Sequence, residues 1–291
     1  MPTAVRVRRA TALGAALSLA LTGALAAATS ASAAGGRYVS LGDSYVSGPL
    51  IPTQSGGLCL RSSHNYPSLT AAALGLSLTD ASCSGATTVE MTAAQSDAGL
   101  TINAPQLNSV TSATSVVTLG IGGNDIGFIG IIETCAEESL TNPFGSPCTA
   151  HYTSGGTDQL AASISATGPK VAAVLAEIHR LAPSARVYVV GYPDILPEHN
   201  NGCWPVVPIA YGDVSYLRQT EKGLNSMLSA EAAAHGATYV DTYTPTIGHD
   251  VCQAVGTKWV EGLVPTSSAA PFHPNALGEA AMARALEGAI G

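Results

Sequence analysis

Apolar runs alternate with helix-spaced stripes along most of this chain, and each run stops at a glycine or another turn-former. Residues 37–41 form a short β-rich run that ends at Gly42. Residues 76–81 predict a second strand, after a helix over 66–74. Residues 115–119 are almost wholly apolar and stop at a glycine-rich turn, which suits a strand covered on both faces. Residues 186–190 repeat that form and end at Gly191-Tyr192-Pro193; residues 237–241 do so once more. Between the last three runs the period becomes helical. Over 158–181, Leu160, Ile164, Val171, Leu175 and Ile178 fall near helical spacing, with Pro169 expected to kink or split the helix. Over 213–235, Leu217, Leu224, Met227 and Leu228 share one side, and 275–290 predict a last helix. Two segments, 53–61 and 134–157, hold turn-formers and cysteines and read as loops pinned by disulfides.

Strands alternating with helices require crossovers, so the expected class is α/β: a three-layer αβα sandwich around a mainly parallel sheet. In open sheets of this kind ligands bind beyond the carboxyl ends of the strands. Chemistry is therefore sought in the residues that follow each strand.

The first 33 residues stand outside that pattern. Arg6, Arg8 and Arg9 make a cationic start, an alanine-rich apolar run covers 12–28, and Ala31-Ser32-Ala33 supplies small residues for cleavage. That order predicts a secretory signal peptide, with 34–291 as a single domain. A membrane anchor is the competing reading, but the run is short and ends in a cleavage site rather than charged flanks. The Arg8-Arg9 pair leaves the export route open. No later segment is apolar enough to span a bilayer, so no stable membrane insertion and an extracellular location are expected.

Removing the leader leaves 9 basic against 20 acidic residues, a net charge of −11. Such a surface repels phosphate backbones and anionic lipid, which argues against a nucleic-acid partner. The six cysteines in an exported chain predict disulfides. They fall as sequence-adjacent pairs, Cys59 with Cys83, Cys135 with Cys148 and Cys203 with Cys252. Nearest-neighbour pairing is the expectation among the several connectivities that six cysteines allow. None has the close spacing of a zinc site, so no metal is expected.

Four short segments carry the candidate chemistry. Gly42-Asp43-Ser44-Tyr45 follows the first strand, and a glycine there lets the chain turn sharply and leave the Ser44 hydroxyl open. Cys83-Ser84-Gly85-Ala86 follows the second, where Gly85 could turn its N–H to the mouth of the sheet. Gly120-Ile121-Gly122-Gly123-Asn124-Asp125 follows the third, and Asn124 offers an amide donor. Phe272-His273-Pro274-Asn275 precedes the last helix. Each segment alone could be an ordinary turn or helix cap. Taken together they supply what ester hydrolysis needs: Ser44 as nucleophile, His273 as its base, and the N–H groups of Ser44 and Gly85 with the Asn124 amide for the oxyanion.

In that order the four segments resemble the sequence blocks of the SGNH (GDSL-type) hydrolases. Gly42-Asp43-Ser44-Tyr45 is similar to the first block, with Tyr45 where the family label has leucine. Ser84-Gly85-Ala86-Thr87, Gly122-Gly123-Asn124-Asp125 and Phe272-His273-Pro274 are similar to the other three. The three cysteine pairs further resemble the extracellular lipases and phospholipases of actinomycetes. The resemblance implies a five-stranded flavodoxin-like sheet and no cofactor. It also implies an aspartate three residues before the histidine, where this chain has Ala270. A main-chain carbonyl, that of Ala270, is expected to orient the imidazole instead, giving a Ser–His dyad; Asp250 is the alternative.

The expected activity is that of a lipase or carboxylesterase, acting as a monomer on a small-molecule or lipid ester. A phospholipase A or a polysaccharide acetyl esterase would use the same residues. A secreted binding domain without turnover is the reading from another class, and Ala270 is its one support.

Overall fold

The structure is a computed structural model that describes residues 1–4 and 35–291; the leader expected over 1–33 lies almost wholly outside the described residues. The chain after it builds β1 (Arg37–Gly42), α1 (Ser44–Ser47), α2 (Tyr66–Leu74), β2 (Ser77–Asp80), β3 (Gln95–Asp97), β4 (Leu100–Asn103) and β5 (Val116–Gly120). It continues through α3 (Phe128–Ser139), α4 (Pro147–Tyr152), α5 (Gln159–Leu181), β6 (Arg186–Val190), α6 (Val214–Ala234), β7 (Thr238–Val240) and α7 (Ala276–Ile290).

Five strands pair in the order β2-β1-β5-β6-β7, and every pairing is parallel. The order reverses beside β1, so a crevice opens at the carboxyl edge between β1 and β5. Burial explains why these runs became central strands: all five residues of β5 are buried, as are Val187 to Val190 of β6. Two apolar clusters flank the sheet. One gathers Val39, Leu41, Val117 and Leu119 with Leu175 and Ile178 of α5 and Leu224 and Leu228 of α6. The other gathers Tyr38, Val116, Tyr188 and Val190 with Tyr66 of α2 and Met282 and Leu286 of α7. The expected three-layer architecture is the one observed.

Two expectations need correction. Segment 134–157 is half helical: it holds the end of α3, whose Ile131, Ile132, Cys135 and Ser139 form a buried stripe, and all of α4. The Cys135–Cys148 bond ties that helix to α4, and the other bonds are Cys59–Cys83 and Cys203–Cys252. Secondly, α5 is not split at Pro169, which lies inside one continuous helix. Pro169 and Ser165, whose carbonyl loses its helical donor, both face solvent, where water can serve that carbonyl. Residues 95–103, for which the sequence pattern predicts no element, form the antiparallel hairpin of β3 and β4, turning through Ala98 and Gly99 at φ 46° and 80°. Both positive angles are the signature of a tight two-residue hairpin turn.

Among the described residues, no helix is long and apolar enough to cross a membrane.

Candidate active site

The first strand ends where a side chain cannot fit. A Cβ on Gly42 would lie 2.4 Å from the Gly120 carbonyl and 2.3 Å from Val46. With the backbones of β1 and β5 this close, the chain turns directly into α1. Asp43 caps that helix through its carboxylate, which accepts the Tyr45 N–H at 2.9 Å. Ser44 is thereby set at the first helical position, partly exposed at the carboxyl edge.

His273 reaches it from the far end of the chain. Its Nε2 lies 2.7 Å from the Ser44 hydroxyl, across 229 residues of sequence. Its Nδ1 lies 2.7 Å from the Pro271 carbonyl. A carbonyl can only accept, so Nδ1 carries the proton and Nε2 presents a free lone pair to the serine. Burial pushes the imidazole pKa below its ordinary 6.5, against an opposing pull from the Pro271 carbonyl. The ring is therefore neutral near pH 7, the form a base needs.

The Ala270 expectation is corrected here. A main-chain carbonyl does hold Nδ1, but it belongs to Pro271; the Ala270 carbonyl accepts the His273 backbone N–H at 3.2 Å. The turn from Ala270 to His273 consumes that carbonyl. Phe272, at φ 58°, then swings the next one under the ring. Asp250 takes no part. Its two oxygens accept the Cys252 N–H and the Gln253 amide, each at 2.9 Å.

The other two blocks close around the serine. Gly85, at φ 81°, adopts a conformation that an L side chain resists. Its N–H and that of Ser44 have no acceptor among the described residues. The Asn124 amide donates one hydrogen to the Ala86 carbonyl at 2.9 Å and keeps the other for a ligand. That bond links the third block to the second. Ser84 and Ser47 hydroxyls, 3.0 Å apart, link the second to the first.

Several residues that hold this site were not singled out from the sequence. The Tyr192 hydroxyl accepts the Gly123 N–H at 2.8 Å and donates to the second Asp43 oxygen at 2.6 Å. Burial raises the Asp43 carboxyl to about 7, opposed by the hydrogen bonds from Tyr192 and Tyr45. The signal was available, since Tyr192 directly follows β6 as the other site segments follow their strands. Gln106 brackets Gly42, donating to its carbonyl at 2.9 Å and accepting its N–H at 2.7 Å. Glu261 pairs its backbone with Phe272 and His273, while its buried carboxylate accepts from Asn275, Thr266 and Lys258.

Beside Ser44 opens an apolar pocket. Ile126, Ile131 and Ile132 wall one side, and Ile195, Leu217 and Leu224 line it from β6's following loop and α6. Ser44 and Asn124 stand in the same lining, so a chain occupying the pocket would bring its attached carbonyl to the hydroxyl and the amide.

Residues 40–281 match the model of the GDSL-like lipase/acylhydrolase family. The chain belongs to this family. Its similarity to Lipase 2 of Streptomyces coelicolor is 42% identity over 251 residues, covering 84% of this chain and 83% of that protein. Among solved structures it is similar to phospholipase A1 from Streptomyces albidoflavus NA297, with TM-score 0.71 and 31% identity over 88% of this chain and 99% of that one. The extracellular lipase from Streptomyces rimosus gives the same TM-score of 0.71, with 29% identity over 87% and 99% of the two chains. The GDSL protein is thus a carboxylic ester hydrolase of the lipase and esterase type.

Proposed function

We propose that this GDSL hydrolase is a secreted lipase or carboxylesterase that works through an acyl-Ser44 intermediate and a Ser–His dyad. The observation that carries the reading is the 2.7 Å contact between the Ser44 hydroxyl and the unprotonated His273 Nε2. His273 takes the hydroxyl proton as Ser44 Oγ bonds to the acyl carbon. The carbonyl electron pair moves to its oxygen, held by the N–H groups of Ser44 and Gly85 and by the Asn124 amide. The tetrahedral centre collapses, the C–O bond to the alcohol breaks, and the imidazolium returns its proton to the leaving oxygen. Water then loses a proton to His273 as it attacks the acyl-serine; the acyl C–O bond to Ser44 breaks, the imidazolium returns the proton to the Ser44 oxygen, and the acid leaves.

The Pro271 carbonyl fixes the tautomer as an aspartate would, yet carries no full charge to stabilise the imidazolium. The apolar lining supports an aliphatic acyl group, each buried methylene contributing about 0.8 kcal/mol. Export is supported by the leader and by three disulfides, which suit an oxidising compartment. A phospholipase A activity is the second reading, favoured by the similarity to the Streptomyces albidoflavus enzyme.

Fluorophosphonate labelling followed by peptide mapping is the test. Modification of Ser44, lost in Ser44→Ala, is expected; an unlabelled protein would be an inert binding domain. Rates on p-nitrophenyl esters of graded chain length, beside phosphatidylcholine, then separate the two substrate readings.

A further inference from the structure

The residue after the nucleophile does more than complete a turn. Tyr45 is buried, and its ring stacks on the His273 imidazole with centroids 4.8 Å apart and planes inclined by 30°. Its hydroxyl donates to the Phe272 carbonyl at 2.5 Å, one residue before the base. The ring is itself boxed edge-on, by Tyr192 at 5.1 Å and by Phe128 at 5.9 Å. Such a ring has little freedom to move. Burial also raises the Tyr45 hydroxyl well above its ordinary pKa, so it remains a donor at working pH.

The Pro271 bond leaves a gap that Tyr45 fills. Pro271 lies two residues from His273 on the same loop, so its hydrogen bond turns the imidazole but moves wherever the loop moves. It cannot fix the base relative to Ser44. The loop is joined to its surroundings by the Ala270 N–H, which donates to Pro49, and by the backbone of Glu261. The Tyr45 hydroxyl adds a further tie, and the Tyr45 ring also stacks on the imidazole. Tyr45 belongs to the helical turn that carries the nucleophile. Phe272 at φ 58° is an angle that a bulky side chain holds only where its neighbours impose it, and the Tyr45 hydroxyl grips that residue's carbonyl. As proton transfer turns imidazole into imidazolium, the face of the tyrosine ring attracts the new positive charge.

We propose that Tyr45 is the positioning residue of the base: its hydroxyl clasps the Phe272 carbonyl and its ring backs the His273 imidazole, doing jointly what a carboxylate at position 270 would do. The proposal rests on the Ser44–His273 reading above. It assigns two separable contributions. The hydroxyl fixes the loop, and the ring face fixes and stabilises the cation.

Substitution separates them. Tyr45→Phe keeps the ring and removes the clasp; Tyr45→Leu removes both. The measurements are kcat per site titrated to completion with fluorophosphonate, and the pH profile of kcat/KM, with a melting curve to set the assay temperature. Tyr45→Phe is expected to lower kcat about tenfold with the acid limb in place. Tyr45→Leu is expected to lower kcat about a hundredfold and move the acid limb to lower pH, since the imidazolium loses its backing ring. The isosteric phenylalanine variant keeps the test open if the leucine variant does not fold. A phenylalanine variant with wild-type kcat, or with a change in KM alone, overturns the clasp. A folded leucine variant whose acid limb has not moved overturns the role of the ring. Failure of the dyad itself is seen separately, as full activity in His273→Ala or an unlabelled wild type.

Discussion

Replacing Tyr192 by phenylalanine removes one oxygen that serves two buried groups at once. In the native site this hydroxyl accepts the Gly123 N–H at 2.8 Å and donates to Asp43 Oδ2 at 2.6 Å. All three residues are buried. The substitution orphans a backbone donor and a carboxyl oxygen, at about 1–3 kcal/mol each, so a loss of about 2–6 kcal/mol is expected. For a domain of this size that corresponds to a fall in melting temperature of about 5–15 °C. The pH dependence sharpens the test. Burial holds the folded Asp43 pKa at about 7, against an ordinary 3.8. Between those values the folded protein retains a proton that the unfolded chain has released, so this group's contribution to stability declines as pH rises and levels off above 7. Without the Tyr192 donor the folded pKa climbs further, and the decline continues past that point. The gap between variant and wild type should therefore widen from pH 5 to pH 8. Thermal unfolding at the two pH values, at matched salt, measures it. A shift under about 2 °C at pH 8, or a gap that narrows with pH, would refute the reasoning.

Other expectations follow from the same geometry. The acid limb of kcat/KM should have its midpoint below 6.5, because burial lowers the His273 pKa and activity is lost as pH falls through the folded value. Asn124→Ala should lower kcat by about 10²–10³-fold with a smaller change in KM, as removal of one oxyanion donor does. Asp250→Ala should leave kcat on p-nitrophenyl esters unchanged and lower the melting temperature, since its oxygens serve only the turn through Cys252 and Gln253. Glu261→Gln should lower stability near neutral pH, with the deficit vanishing in acid. Burial disfavours its charge, but hydrogen bonds from Asn275, Thr266 and Lys258 prevail and hold the pKa at about 2. Its stabilisation is present above the ordinary value of 4.5 and lost as pH falls towards 2, so acid unfolding curves of variant and wild type should converge in that window.

The central strands were legible because burial on both faces writes itself as an unbroken apolar run, and β5 and β6 are of that kind. The four candidate segments were legible because each follows a strand or precedes the last helix. What escaped depends on contacts rather than period. The stripe of α3 includes Cys135 and Ser139, residues that a hydrophobic pattern does not count, and the Ser139 hydroxyl meets its need internally by donating to the Cys135 carbonyl at 2.6 Å. Pro169 could stay within α5 because that face of the helix meets water, which its own spacing does not announce. Which carbonyl orients His273 turns on the left-handed angle at Phe272, a property of the folded loop. Tyr192 was visible at the end of β6, but its partners Gly123 and Asp43 are tens of residues away.

The order in which the chain supplies its parts has a consequence for biosynthesis. Ser44 lies directly behind β1, the first strand, whereas His273 precedes only α7, whose Glu279 accepts the Tyr66 N–H at 2.7 Å and so anchors the C-terminal helix to α2. On the proposed mechanism, a ribosome makes the attacking hydroxyl early and the group that activates it almost last. On that mechanism, nascent or C-terminally clipped chains hold a serine with nothing to deprotonate it, and hydrolytic competence arrives only with the residues from His273 onward.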